Sequence, residues 1–144
     1  MHATVRSVIE SASNAEADVC ILDTEASPEH LSRGTAQYAE IMLIVVEPYY
    51  KSMETGRRMA LLAHDLGLPR VALLANKIRD GRELQAVRQF ADQHGLGVAG
   101  VVPFDESFPE AERSRKAPLD FAPDSPAIGA IAEVGRQFAE NGRA

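Results

Sequence analysis

The sequence predicts an α/β domain built on a mostly parallel sheet with helices on both faces. Four short apolar runs alternate with turn residues and helical patterns, and they are Val19 to Leu22, Ile41 to Val46, Val71 to Ala75 and Val98 to Val102. Such alternation favours parallel strands that are joined by crossover helices. Because the runs are apolar at successive positions, we expect the strands to be covered on both faces.

Composition limits the kinds of protein that fit this chain. Its 144 residues are 45% hydrophobic and 25% charged, which predicts one globular domain over residues 1–144. The single cysteine, Cys20, excludes an internal disulfide and lies in an apolar run, where we expect a buried thiol in a reducing compartment. The net charge of −6 argues against nucleic-acid binding, and no apolar stretch approaches the ~20 residues that cross a bilayer. We therefore predict a cytoplasmic protein without nucleic-acid or membrane partners.

Two central helices are predicted from apolar spacing and from residues that start or end a helix. The first helix carries apolar residues at positions i, i+3, i+4 and i+7, namely Met59, Leu62, Ala63 and Leu66. The second carries a similar stripe, made of Leu84, Val87, Phe90 and Ala91. Asp80 and Glu83 have the three-residue offset of a capping box, and Gly67 and Gly95 are expected to end the two helices.

The C-terminal helix is predicted to begin with Ser125 as its N-cap and Pro126 as its first residue. Its buried residues are predicted to be Ile128, Ile131 and Phe138. The preceding segment, Asp105 to Asp124, is expected to hold one short helix and an extended return. At the other end of the chain, Thr4 to Ser13 are predicted to form a helix. Tyr49 to Lys51 could stack on a base or a partner, but a loop over the sheet edge is the favoured interpretation.

Polar residues follow three of the four apolar runs. Asp23 ends the first run, Asn76-Lys77 end the third, and Pro103-Phe104-Asp105-Glu106 end the fourth. In open parallel sheets, ligands bind outside the carboxyl ends of the strands, so these residues are candidates for one shared site.

Each strand end has a structural reading beside its functional one. Asp23 could orient Mg²⁺ or its water, or could simply cap a helix or face solvent. The Asn76 amide can donate to and accept from a purine, with the Lys77 stem along the base, but an Asn also tolerates an awkward turn conformation. Residues 103–106 could cover a bound base through backbone contacts, or they could form an ordinary surface turn. Occurring together, the three favour a nucleotide site.

Longer stretches of the chain carry a family resemblance. They are Ile21 to Thr35, Val45 to Pro48, Ser52 to Thr55, Leu74 to Arg79, Val102 to Glu106 and Pro123 to Ala127. In these stretches the chain resembles the MinD/ParA/nitrogenase-iron-protein class of P-loop ATPases, and within it the CooC-type carbon monoxide dehydrogenase maturation ATPases. The resemblance implies a Rossmann-like, three-layer P-loop NTPase fold.

The resemblance also implies a role for each matching residue. Asp23 would be the Walker B aspartate that holds Mg²⁺ through water, and the nucleotide-sensing switch would begin with Thr24, Glu25, Ala26 and Ser27. Asn76 would bind adenine with Lys77 beside it, and the loop Pro103, Phe104, Asp105, Glu106 would close over the base. Ser27 stands where the family usually has glycine, which bears on how freely the switch rotates.

One part of the family pattern does not occur in the sequence. The 144 residues contain no G-x-x-x-x-G-K-[ST] loop, whose backbone N–H groups and lysine would hold the phosphates. We therefore expect an N-terminally truncated chain that binds ATP or ADP with Mg²⁺ weakly or not at all and does not hydrolyse ATP alone.

Two functions follow from these observations. In the first, the chain is the C-terminal part of a CooC/MinD-like ATPase switch for metallocentre maturation, with a homodimer or related ATPase and a metalloenzyme client as partners. In the second, it is a non-catalytic interaction module that pairs with a full-length ATPase or another partner through an unpaired sheet edge.

Overall fold

The computed structural model describes residues 20–24 and 39–141. Its strands are β1 Met42–Val46, β2 Val71–Ile78 and β3 Gly97–Pro103. Its helices are α1 Tyr50–Asp65, α2 Gly81–Gln93, α3 Ser107–Arg113, α4 Pro118–Phe121 and α5 Pro126–Asn141.

The three strands form one parallel sheet in the order β1-β2-β3. Its register pairs Ile44 with Leu73, and Leu73 with Val98, so that β2 lies between its neighbours. The predicted parallel sheet is confirmed over three of the four apolar runs.

Helices cover both faces of this sheet. A side chain at Gly56 in α1 would meet Ile44, Val46 and Leu73, whereas a side chain at Gly100 in β3 would meet Val134 of α5 and Leu74. Since adjacent residues of a strand point to opposite faces, Leu73 and Leu74 place α1 and α5 on opposite sides of the sheet.

The main core lies between the sheet and helices α1 and α2. Its largest fully buried side chains are Met59, Leu73, Val46 and Val87. Each such burial stabilises the fold by about 1.5–3 kcal/mol relative to an exposed side chain. The predicted stripes of both helices face this core, although Leu66 at the end of α1 is 38% exposed.

The predicted ends of these helices are confirmed. Gly67 and Gly95 adopt positive φ of 79° and 66°, the conformation that favours glycine after a helix. The Asp80 carboxylate accepts hydrogen bonds from the N–H groups of Arg82 and Glu83 at 2.8 and 2.9 Å. A cap of this kind contributes about 1 kcal/mol.

The predicted first strand is not formed by the residues described there. Cys20 to Thr24 have no regular secondary structure, Cys20 is exposed, and Ile21 is 87% exposed. Because none of the three strands pairs with these residues, their apolar side chains are left without cover. The expectation of a buried Cys20 thiol was therefore wrong. Thr4 to Ser13 lie outside the described residues.

The structure corrects three further predictions. Tyr50 and Lys51 belong to the first turn of α1 rather than to a loop, since the helix begins directly after Tyr49. The segment 105–124 forms two short helices, α3 and α4, rather than one. Ile131 is predicted to be buried but is 45% exposed, whereas Ala127 on the same helical face is 1% exposed.

The start of α5 agrees with its prediction. Pro126 is its first residue, and the Ser125 hydroxyl accepts a hydrogen bond from the Ile128 N–H at 3.3 Å. In the described part of the chain, no helix is both long and apolar enough to cross a bilayer.

The approach of α1 to the sheet yields a stability prediction. A Cβ at Gly56 would lie 2.6 Å from Val46 Cγ1, so Gly56→Ala forces the helix or the strand to move. Such overpacking costs about 1–3 kcal/mol, more than the ~1 kcal/mol that alanine adds to a helix. We expect Gly56→Ala to lower the free energy of unfolding, measured by urea denaturation.

Gly135→Ala is the matched control, because Gly135 is also inside a helix but has no atom within 4 Å of its would-be Cβ. It is expected to raise the free energy of unfolding by up to ~1 kcal/mol. Unchanged or higher stability of Gly56→Ala would contradict the tight contact.

Candidate functional site

The carboxyl edge of the sheet brings two of the three predicted segments together. Ile78 of β2 pairs with Pro103 of β3, and the Phe104 N–H donates a hydrogen bond to the Ile78 carbonyl at 2.9 Å. Asn76-Lys77 and the loop 103–106 are therefore neighbours across two paired strands, at the edge where parallel sheets bind ligands.

The Asn76-Lys77 pair lies on a β-bulge. Ala75 pairs with Val101 and Ile78 with Pro103, so β2 advances three residues while β3 advances two. Lys77 adopts a φ of 58°, a left-handed conformation that is unusual for a residue with a side chain. The third apolar run predicts a strand that ends before this pair, whereas β2 continues to Ile78. The unusual backbone conformation predicted for Asn76 is adopted by Lys77 instead. Bulges of this kind redirect side chains and occur next to functional sites.

Lys77 forms an ion pair with a residue from the neighbouring strand end. Its Nζ donates to Oε1 of Glu47 at 2.7 Å, directly after β1. The Glu47 N–H donates to the Ser52 hydroxyl at 3.0 Å, and its carbonyl accepts from the Tyr49 N–H at 2.8 Å, which fixes the turn that carries the carboxylate. The sequence reasoning assigned no site role to Glu47. The available signal was its position as a polar residue directly after an apolar run.

Phe104 and Arg79 form a second contact across the edge. The Arg79 guanidinium lies 4.2 Å from the centroid of the Phe104 ring, within the range of a cation–π interaction. The Arg79 N–H donates to the Glu83 carboxylate at 2.6 Å, and this bond ties the end of β2 to the first turn of α2. Phe104 itself is half-buried.

Asp105 connects the loop to helices α3 and α5. Its Oδ1 accepts from the Ser107 hydroxyl at 2.6 Å and the Ser107 N–H at 2.9 Å, and its Oδ2 accepts from the Ala127 N–H at 3.3 Å. The Ser107 hydroxyl, followed by the Ser107 N–H, holds the pKa of Asp105 below its usual value, against the opposing effect of burial. The Asp105 carboxylate is thus engaged within the protein, while Glu106 is exposed.

The remaining predicted residues lie in or beyond the short segment 20–24. Asp23 and Thr24 are exposed and outside the sheet, and Glu25, Ala26 and Ser27 lie outside the described residues. An exposed carboxylate suits a water-bridged Mg²⁺, so the chemistry of Asp23 fits the predicted role. Within residues 20–24 and 39–141, no group of three or more His, Cys, Asp or Glu side chains is arranged to hold a metal ion.

Sequence comparison finds related ATP-binding proteins. The chain is 40% identical over 95 residues to an uncharacterised ATP-binding protein of Methanocaldococcus jannaschii, covering 66% of this chain and 37% of that protein. It is 30% identical over 122 residues to the carbon monoxide dehydrogenase accessory protein CooC of Rhodospirillum rubrum, covering 85% of this chain and 46% of CooC. No family model matches the chain.

Structure comparison finds the same fold. A ParA family ATPase from Chlorobium tepidum TLS matches 92% of this chain and 55% of its own with a TM-score of 0.77 and 20% identity. MinD from Pyrococcus horikoshii OT3, solved with Mg-ADP, matches 96% of this chain and 56% of its own with a TM-score of 0.68 and 16% identity. The chain is a relative of CooC and of the Methanocaldococcus jannaschii ATP-binding protein, and its fold is the one found in MinD and ParA family ATPases. It spans less than half the length of the two curated relatives described.

The left-handed Lys77 allows a direct test of the bulge. A left-handed conformation destabilises a residue that has a side chain by about 1–2 kcal/mol. The partly exposed ion pair with Glu47 stabilises the folded state by only about 0.2–1 kcal/mol. Strand pairing on both sides must therefore hold the bulge. Lys77→Gly and Lys77→Ala both lose the ion pair, but only glycine relieves the strain. We expect the glycine variant to be the more stable by about 1 kcal/mol in urea denaturation.

The same two substitutions at Gln89, exposed inside α2, give the control. There the order should reverse, because glycine is about 1 kcal/mol worse than alanine within a helix. An alanine variant at position 77 that matches or exceeds the glycine variant would argue against the left-handed bulge.

Proposed function

We propose that this chain supplies the adenine-binding side of the nucleotide site in a CooC/MinD-like ATP-binding protein. The pairing of Ile78 with Pro103 carries the proposal, because it sets the Asn76-Lys77 bulge beside the loop 103–106 at the carboxyl edge of the sheet. The similarity to proteins described as ATP-binding supports a nucleotide as the ligand.

The residues of the edge supply complementary chemistry for a purine. Asn76 is half-buried and offers both a donor and an acceptor, which a purine edge requires. The aliphatic stem of Lys77 would lie along the base, while its ammonium stays with Glu47. Residues 103–106 would close over the base through their backbone, since the Asp105 carboxylate is bonded to Ser107 and Ala127.

The phosphate side of the site would involve the segment after Cys20. Asp23 would hold Mg²⁺ through water, and Thr24 to Ser27 would begin the switch that responds to the nucleotide. When bound, Mg²⁺ neutralises phosphate charge. Because the 144 residues contain no glycine-rich phosphate loop, we propose that this chain alone binds ATP or ADP weakly and does not hydrolyse ATP.

The complete protein would act as an ATPase switch in metallocentre maturation. Similarity to CooC, a carbon monoxide dehydrogenase accessory protein, supports this proposal. The partners would be a second copy or a related ATPase, together with a metalloenzyme client, in the cytoplasm.

Titration of the 144-residue chain with Mg-ATP tests the base site. Replacing Asn76 by alanine removes a hydrogen bond worth about 0.5–1.5 kcal/mol, so Asn76→Ala should weaken ATP binding about two- to tenfold. Chemical-shift changes during the titration would give the Kd. Gln89→Ala removes an exposed amide on α2 and should leave the Kd unchanged.

Equal Kd values for the Asn76→Ala and Gln89→Ala variants would contradict the base site. Urea denaturation of both variants separates lost binding from lost folding. Steady ATP turnover by the wild-type chain would contradict the proposal that this chain alone does not hydrolyse ATP.

The exposed side of β1 favours a second candidate function, pairing with a related ATPase as a non-catalytic module. Val45 is 55% exposed, although Gly100, two strands away on the same face, is covered by Val134 of α5. Among the described residues, β1 pairs only with β2. An apolar strand that is open on one side invites association.

Sedimentation velocity of the chain without nucleotide tests this second candidate. Self-pairing through β1 predicts a dimer whose fraction grows with concentration and falls in the Val45→Lys variant. Leu61→Lys, which changes an exposed leucine on α1, is the control and should leave association unchanged. A monomer at every concentration would contradict self-pairing.

A further inference from the structure

The ammonium of Lys77 is the cation on the proposed base-binding bulge. A lysine beside a nucleotide can contribute through its apolar stem or through attraction to the phosphates. Which of these applies depends on where the ammonium is held. In this structure it lies 2.7 Å from Glu47 Oε1, and the two side chains are 52% and 34% exposed.

Glu47 is held in place independently of Lys77. Its N–H is bonded to the Ser52 hydroxyl at 3.0 Å, and its carbonyl is bonded to the Tyr49 N–H at 2.8 Å. The carboxylate therefore projects from an ordered turn between β1 and α1, so less entropy is lost when it pairs with Lys77. On the opposite side of the pair, the bulge fixes the Lys77 backbone.

From these contacts we infer that Glu47 is a specificity-determining positioning residue, which occupies the Lys77 ammonium so that Lys77 adds little affinity for the phosphates of a ligand. The inference rests on the proposed function, because it concerns the same base site. If Glu47 acts in this way, the bulge recognises the nucleoside part of the ligand, and residues other than Lys77 bind the phosphates.

The test compares adenosine with AMP in magnesium-free buffer. The measured quantity is the ratio of the Kd for adenosine to the Kd for AMP, which reports the contribution of the phosphate. Other cations near the edge, such as Lys51, Arg79 and Arg82, are present in all variants, so their effect on the ratio is the same in each variant. The ratio is determined for wild type, Glu47→Gln, Lys77→Gln and the double variant.

We expect Lys77→Gln not to raise the ratio, because it removes a cation and leaves the Glu47 carboxylate unpaired at the edge. Glu47→Gln frees the ammonium and should raise the ratio about three- to fivefold, an effect that shrinks at high salt. The double variant should return to the wild-type ratio. A role confined to folding would change both Kd values together and leave their ratio unchanged.

Glu133→Gln is the matched control, since it also removes one carboxylate from an exposed ion pair, with Arg136 on α5. It should leave the ratio unchanged. An increase that persists in the Glu47→Gln/Lys77→Gln variant would overturn the inference, because it would show a general charge effect. A ratio below the wild-type value in the Glu47→Gln/Lys77→Gln variant, which has neither charge, would also overturn it, because the wild-type ammonium would then already contact phosphate.

Asn76→Ala separates failure of this inference from failure of the proposed function. If Asn76→Ala weakens adenosine binding but the ratio is the same in Glu47→Gln as in wild type, the inference about Glu47 alone is wrong. If adenosine does not bind wild type, or binds Asn76→Ala equally well, both proposals fail.

Discussion

The candidate site depends on one extra residue in β2. Between the pair Ala75–Val101 and the pair Ile78–Pro103, the central strand is one residue longer than its neighbour, and the backbone absorbs this residue as a bulge. The pairs Ala75–Val101 and Ile78–Pro103 flank the bulge, and a one-residue slip of β2 would turn its buried side chains outward, which opposes a change of register. The bulge thereby fixes the relation between Asn76, Lys77 and the loop after β3.

The surroundings of this bulge are ordered by bonds within the protein. Lys77 is paired with Glu47, Arg79 lies over Phe104, and Asp105 is bonded to Ser107 and Ala127. Individually, such partly exposed contacts are weak. Their combined effect is to restrict the strand ends before any ligand arrives, so less conformational entropy remains to be lost on binding. A pre-ordered edge is well suited to recognising a flat, rigid group such as a purine.

Local signals allowed most helix boundaries to be predicted, whereas features that depend on distant partners were missed. Gly67 and Gly95 act through their own φ, and Asp80 caps N–H groups two and three residues away. The Glu47–Lys77 ion pair joins residues 30 positions apart, and the bulge exists only in relation to β3. The strand predicted around Cys20 is not formed by the residues described there, because an apolar run does not by itself specify which strand it will pair with. Helical spacing places Ile131 on the same face as Ala127, but whether a residue on that face is buried depends on what packs against it, and Ile131 is 45% exposed.

The attachment of α5 has a mechanical consequence. Near its start, the Ala127 N–H is bonded to Asp105 in the loop, and further along, Val134 packs directly over Gly100 in β3. Helix α5 is therefore attached at two points, to the loop after β3 and to β3 itself. Any tilt of the helix pulls on the loop, and any opening of the loop must either break the Asp105 bond or carry the helix with it. Movement of the C-terminal helix and movement of the loop at the candidate ligand edge are thus coupled.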